Sequence, residues 1–347
     1  MPPPLNLALV GYGFAGRTFH APLIAQTPGL RLHGIVTGQQ ALAGADFPDA
    51  RIVDDADRML ADADVDGVVI ATPNRTHAAL ALAALAAGKH VLVDKPFTVT
   101  SAEARAVIEA ARRAGRIASV FHNRRWDADF LTLQRLLAEG TLGRIGEFHS
   151  HFDRMRPQPR DRWRESGEPG AGLWFDLGPH LLDQALQLFG PPLAIQADLM
   201  AQRPGARSDD WFHAVLHYPA HRAFLHAGSL VADHRLRFAV HGSAGSYLKH
   251  GLDVQEAQLR DGRLPGSDGW GVDPLPGRLT TLDADGRMHQ RDIANERGDY
   301  RCCYAALRDA MRGEAPPPVS AAQALAVMQL LEAGRRSADS GQRVRLD

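Results

Sequence analysis

Cysteine is nearly missing from this chain: Cys302 and Cys303 stand side by side and there are no others. Two adjacent thiols without metal-ligand spacing exclude a disulfide framework and a structural zinc module, and no metal site is expected. Long apolar runs are also lacking, since none approaches the ~20 residues that span a bilayer. Excess charge of one sign is absent too. With 39 basic and 40 acidic residues the net charge is -1, so there is no cationic surplus to wrap a phosphate backbone or hold an anionic membrane. Neither nucleic acid nor membrane is an expected partner. Met1 and three prolines lead straight into the strand-like Leu5–Val10, without the basic, apolar and cleavage regions of a secretory leader, so a cytoplasmic location is the expectation. Internal repeats and low-complexity segments are missing as well. What is present is an ordinary globular composition, 45% hydrophobic and 23% charged over 347 residues, which is long enough for two cores.

The first ~120 residues alternate short β-rich runs with alanine-rich helical segments, the pattern of a parallel, doubly wound sheet. Strands are expected at 5–10, 30–36, 66–71, 90–94 and 116–121. Arg75 to Ala87 is nearly all Ala and Leu and reads as a crossover helix closed by Gly88. Pro22 predicts a kink or restart near His20-Ala21, and Ser101 is a plausible N-cap for a helix to about Ala114. Beyond Phe121 the runs 145–154, 193–202, 211–219, 222–232 and 235–249 read as a mostly antiparallel sheet. One helix, Pro179 to Phe189, interrupts it, and the Gly-, Pro- and Asp-rich stretch 261–286 reads as a long surface excursion. Ser320 with Gln323 opens a final helix to about Ser337. The expected class is α/β, with a Rossmann domain over 1–121 and a second domain over 122–347, whose C-terminal helix is free to pack back on the first.

Gly11-Tyr-Gly-Phe-Ala-Gly16 follows a strand and opens a helix. There Gly11, Gly13 and Gly16 permit a tight turn, and pyrophosphate can approach the backbone N–H groups around Phe14 and Ala15. The second strand ends in Val36-Thr37-Gly38-Gln39, where NAD-selective folds usually place a carboxylate on the ribose 2'-hydroxyl. Without that repulsion, and with the Thr37 hydroxyl available to a phosphate, NADP is preferred over NAD. Thr72, Pro73 and Asn74 end the next strand, and His77 lies one turn into the following helix, as ready to be solvated as to touch a cofactor.

Lys95 follows a short apolar run and precedes Pro96, which biases it toward an extended conformation. At that edge its ammonium could hydrogen-bond a substrate oxygen and stabilise developing negative charge. Asp176-Leu-Gly-Pro-His180 places Pro179 at a first helical position and His180 near a helix N-terminus. The dipole there opposes imidazolium while a carboxylate favours it, an opposition suited to a general base. Asp176 is the natural orienter, although pre-proline Gly178 argues against a continuous helix. Asp176 as a mere cap, with His180 packing between domains, stays open. Asn123, Arg124, Trp126, Asp153 and Trp163 are candidate polyol contacts, with a solvated or inter-subunit loop as the alternative for the arginine-rich stretch.

Taken together, Gly11 to Gly16, Thr72-Pro-Asn74, Asp94-Lys-Pro96 and Asp176 to His180 resemble the Gfo/Idh/MocA oxidoreductase family across the whole chain. Phe14 to Pro22, His122 to Trp126 and Gly172 to His180 look like its branch of NADP-dependent scyllo-inositol dehydrogenases. The resemblance implies a C-terminal α/β domain whose open sheet mediates dimers or tetramers, and hydride transfer at a sugar or cyclitol. It puts Lys95, Asp176 and His180 in the catalytic places, with Asp94 standing where Glu is commoner and Lys95-Pro96 often cis in relatives. Two other functions stay open: a nonenzymatic cofactor-sensing regulator, and an enzyme that uses the nicotinamide transiently in glycoside cleavage.

Overall fold

The computed structural model describes residues 2–346. The chain divides into two compact units. One takes the chain up to Asn123 with Gln255–Trp270 and Asp299–Met328; the other takes Arg124–Val254, Gly271–Gly298 and the chain from Gln329 onward. No helix among the described residues is long and apolar enough to cross a membrane.

In the first unit, short apolar runs form six parallel strands: β1 (Leu5–Val10), β2 (Leu30–Val36), β3 (Arg51–Val53), β4 (Gly67–Ile70), β5 (His90–Val93) and β6 (Ala118–Val120). Their order, β3-β2-β1-β4-β5-β6, is that of a doubly wound Rossmann sheet with its switch point between β1 and β4. β3 lies outside the five expected strands. It has only three residues on the sheet's edge, none fully buried, so it leaves no apolar run to read.

Register decides where the site falls. Val10 pairs with both Val36 and Ile70, and Ile70 with Val93. Gly11, Thr37, Ala71 and Asp94 therefore emerge in a row at the carboxyl edge, and Val120, paired with Val93, delivers Phe121 to Asn123 to the same edge. The helix from Ser101 to Ala114 is capped by Thr100, one residue before the expected cap. The Thr100 hydroxyl accepts from Glu103 N–H at 3.2 Å and the Glu103 carboxylate accepts from Thr100 N–H at 2.9 Å.

The second unit is built on nine strands: β7 (Ile145–His151), β8 (Ala194–Met200), β9 (Trp211–His217), β10 (Arg222–Gly228), β11 (Leu236–Gly242), β12 (Gly245–His250), β13 (Gly277–Leu282), β14 (Met288–Ile293) and β15 (Val344–Arg345). The order is β14-β13-β12-β11-β7-β10-β9-β8-β15, antiparallel throughout except for the β7–β10 pair. β9 and β10 alternate buried and half-buried residues, so one face is core and the other is not covered to the same degree. Segment 261–286 is more than a surface excursion: it carries β13 and the fully buried Trp270, whose indole N–H donates to Asp299 at 3.2 Å.

The helix expected from Pro179 starts already at Leu173 and runs unbroken to Phe189, with Gly178 and Pro179 inside it. An interior proline costs about 3 kcal/mol. Burial of Leu173, Trp174, Phe175, Leu177, Leu181 and Leu182 outweighs that at roughly 1.5–3 kcal/mol each. Gly178 makes the conformation accessible because it has no Cβ to clash ahead of proline, and one there would press on Trp174 at 3.1 Å. Asp209 fixes the true start, accepting Trp174 N–H on its carboxylate at 2.7 Å and Leu173 N–H on its carbonyl at 2.8 Å.

Candidate active site

The three loop glycines divide their work. Gly11 has φ +102°, and a Cβ there would meet the Ala71 carbonyl oxygen at 2.6 Å; one on Gly16 would run into the Gly11 carbonyl. These two close the turn. A Cβ on Gly13 would meet nothing within 4 Å, so the loop is open where a pyrophosphate would approach its N–H groups. The residues present thus fit a dinucleotide, with exposed Phe14 and half-buried Ala15 between the glycines. The expected kink near Pro22 takes the form of a π-helical turn, Gly16–His20, which leads into the short helix Ala21–Ala25.

At the end of β2 the Thr37 hydroxyl accepts from Gln39 N–H at 3.0 Å, which leaves its own proton to donate. At the end of β4, the Thr72 and Thr76 hydroxyls meet at 2.7 Å, and Pro73 and Asn74 form the turn into a short 3-10 segment. His77 is neither solvated nor at the surface. It is fully buried, its Nε2 2.9 Å from the Thr72 carbonyl and its Nδ1 2.9 Å from the Pro96 carbonyl. It therefore braces the loops after β4 and β5.

Lys95 stands half-buried immediately after β5, and its peptide to Pro96 is cis. Beneath it Asp94 is buried and accepts the Lys95 backbone N–H at 2.8 Å. Burial alone would push the Asp94 carboxyl up, but His20 foremost, with Lys95 and His77, outweighs it and holds the group down at about 2. His20 Nε2 is 3.8 Å from Asp94, and its Nδ1 is 2.6 Å from the Tyr304 hydroxyl. Sequence reasoning missed both supports. His20 stood out only as the place of a helix kink, and Tyr304 lies far along the chain with no local signal.

In the second unit, Asp176 and His180 sit four residues apart on one continuous helix, so they share a face. His180 is nonetheless well inside that helix, and the expected influence of a helix N-terminus on it is withdrawn. Asp176 lies 3.7 Å from Arg154 and 3.5 Å from Arg164 and lines a cleft with Arg156, Arg203 and Gly172. Trp163 stacks beneath the Arg164 guanidinium at 4.4 Å. Asn123 is buried at the carboxyl edge of the first unit, after β6.

Arg124 and Asp153 both have partners within the second unit. Arg124 is buried over the Phe152 ring at 4.6 Å, with Asp127 3.3 Å away. Asp153 accepts Gly228 N–H at 2.9 Å and lies 3.2 Å from His151 and 3.4 Å from His226. Their candidate ligand atoms fall within 4.8 Å of one another, a convergence of metal-capable side chains that the sequence did not suggest. Trp126 is half-buried at the end of a short 3-10 turn, where its neighbour Arg125 holds Asp183 at 2.6 Å.

A glycine loop at a Rossmann switch point, with a lysine at the same sheet edge, defines a dinucleotide-binding protein. The matching models, the oxidoreductase family's NAD-binding Rossmann fold over residues 5–122 and its C-terminal alpha/beta domain over 134–346, show that the chain belongs to the Gfo/Idh/MocA oxidoreductase family. It is 52% identical to the uncharacterized oxidoreductase YdgJ of Escherichia coli, covering 96% of each chain. To the scyllo-inositol 2-dehydrogenase (NADP(+)) IolW of Bacillus subtilis it is 36% identical over 99% of this chain and 96% of the other. The structure of YPO2259 from Yersinia pestis superposes with TM-score 0.95 at 49% identity, covering 100% of this chain and 98% of that one.

Proposed function

We propose that the protein reversibly oxidises a secondary alcohol of a cyclitol or sugar, such as scyllo-inositol, with NADP preferred over NAD. His180 takes the hydroxyl proton, Lys95 polarises the same oxygen, and Asp176 orients the imidazole or binds a neighbouring hydroxyl. The observation that carries this reading is that Asp176 and His180 stand four residues apart on one continuous helix, so a carboxylate and an imidazole share a face. Gly11 to Gly16, Thr37, Thr72 to Asn74 and Asn123 would hold the dinucleotide, whose nicotinamide supplies the hydride acceptor. The relative IolW, a dehydrogenase of scyllo-inositol with NADP, supports both the substrate class and the cofactor. Assembly into a homodimer or homotetramer through the less covered face of the nine-stranded sheet belongs to the same proposal.

The test is a panel of cyclitols and sugars, neutral and acidic, offered to purified protein with each cofactor, followed by absorbance of the reduced nicotinamide. Net NADPH formation with at least one polyol, faster than with NAD, is the expected result. Equal rates with both cofactors would remove the selectivity argued from Thr37, and silence across the panel would remove the dehydrogenase reading.

A further inference from the structure

The cleft beside Asp176 has more positive charge than a neutral polyol needs. It is open to solvent, and its lining has five arginines. Four have partners within the protein. Arg203 donates to Asp210 at 2.7 Å and to Glu165 at 2.9 Å, and Arg162 donates to Glu165 at 2.7 Å. The Asp209 carboxylate is likewise engaged, by Arg335 at 2.7 Å and by the helix cap on Trp174. Arg154 and Arg164 pair with Asp176 at 3.7 and 3.5 Å.

Arg156 is the exception among them. Its backbone is tied down, N–H to the Ser229 carbonyl at 2.7 Å and carbonyl to Arg203 at 3.1 Å, so the side chain springs from a fixed base. Yet among the described residues its guanidinium has neither an ion-pair partner nor a side-chain hydrogen bond. Burial pushes its pKa down to about 10, with Arg154, Arg160 and Arg162 adding to the effect and Asp176 opposing it weakly. A half-buried cation repelled by its neighbours is costly to keep without a counter-charge.

We propose that the substrate bears an anionic group, a carboxylate or a phosphate on the polyol, which docks on Arg156 between Arg154 and Arg164. The fork of a guanidinium matches both anions in bidentate fashion. Asp176 pairs with Arg154 and Arg164 and stands one helical turn from His180, so it links the arginine-lined cleft to the helix face that carries the imidazole. The inference rests on the proposed dehydrogenase function and narrows its substrate to acidic sugars and cyclitols.

Matched pairs test it: inositol against inositol monophosphate, and glucose against glucuronate and glucose phosphate, each with NADP+ and the full chain. The anionic member of at least one pair is expected to show a kcat/KM roughly tenfold or more above its neutral partner, with a KM that rises with salt. Arg156→Met should collapse that ratio toward one and Arg156→Lys should keep part of it; whether glucuronate or a phosphate is favoured identifies the anion. Calorimetric titration with inorganic phosphate and with glucuronate supplies a readout free of turnover. If neutral members are oxidised as well as anionic ones and Arg156→Met alters no ratio, the proposal is overturned while the dehydrogenase reading stands. If Arg156→Met weakens NADP+ but not NAD+, the cleft reads the cofactor's phosphate and the proposal is likewise overturned. If no polyol is oxidised but anion binding depends on Arg156, the dehydrogenase reading fails and the anion site stands.

Discussion

Nε2 of His20 stands 3.8 Å from the carboxylate of Asp94, directly behind the lysine assigned to the substrate oxygen. The Tyr304 hydroxyl at 2.6 Å fixes the other side of the ring. A buried chain of tyrosine, histidine and carboxylate thus underlies Lys95, and Asp94 is one methylene shorter than the Glu that the resemblance leads one to expect there.

Because Asp94 is held at about 2 against an ordinary 3.8, its contribution to stability is complete above the higher value and lost as pH falls through the lower. The difference corresponds to on the order of 2 kcal/mol. Urea unfolding measured across acid pH should therefore show the parent losing stability faster than Asp94→Asn between those two values. Parallel curves would mean that Asp94 carries no such linkage.

Gly13 and Gly11 should separate when each is replaced by alanine. Gly13→Ala puts a methyl group into open space, so thermal unfolding should not move while dinucleotide affinity falls by about tenfold. Gly11→Ala, at φ +102° and against the Ala71 carbonyl, should lose affinity and also about 1–3 kcal/mol of stability. Fluorescence titration and calorimetric melting of both variants check this. A Gly13→Ala variant that binds the dinucleotide like the parent would show that the ligand does not come close to that position.

Arg237 is buried in the second unit, donating to Asp129 at 3.1 Å, Ser150 at 2.9 Å and Gln184 at 2.6 Å. Removing one partner of a buried ion pair costs about 3–5 kcal/mol because the other charge is stranded. Arg237→Met should show that loss in urea unfolding, and adding Asp129→Leu should recover part of it. A single-variant loss below about 1 kcal/mol would place the pair's worth near that of a surface bridge.

Much of the site was legible because its parts are local. The glycine loop, Thr72 to Asn74 and Lys95 each end a strand, and strand ends in a parallel sheet share one edge whatever lies between them. His77 looked like an edge residue because its sequence position does not say that two carbonyls from distant loops enclose it. The helix around His180 was misjudged because Gly178-Pro179 is a local stop signal, whereas packing of Trp174 and its neighbours is a tertiary term that outweighs it. Tyr304 left no trace in the sequence, since it acts across more than two hundred residues, and Arg156 was legible only as one member of an arginine-rich stretch, because what sets it apart is the partner it lacks.

The central claim, that Lys95 and His180 act on one substrate hydroxyl, is tested most directly by single-turnover hydride transfer in His180→Ala and Lys95→Met, with dinucleotide affinity measured on the same samples. Hydride transfer slowed by roughly 10²- to 10⁴-fold in His180→Ala, and comparably in Lys95→Met, with dinucleotide binding close to the parent's, is the predicted result. Turnover near the parental rate in either variant would contradict it.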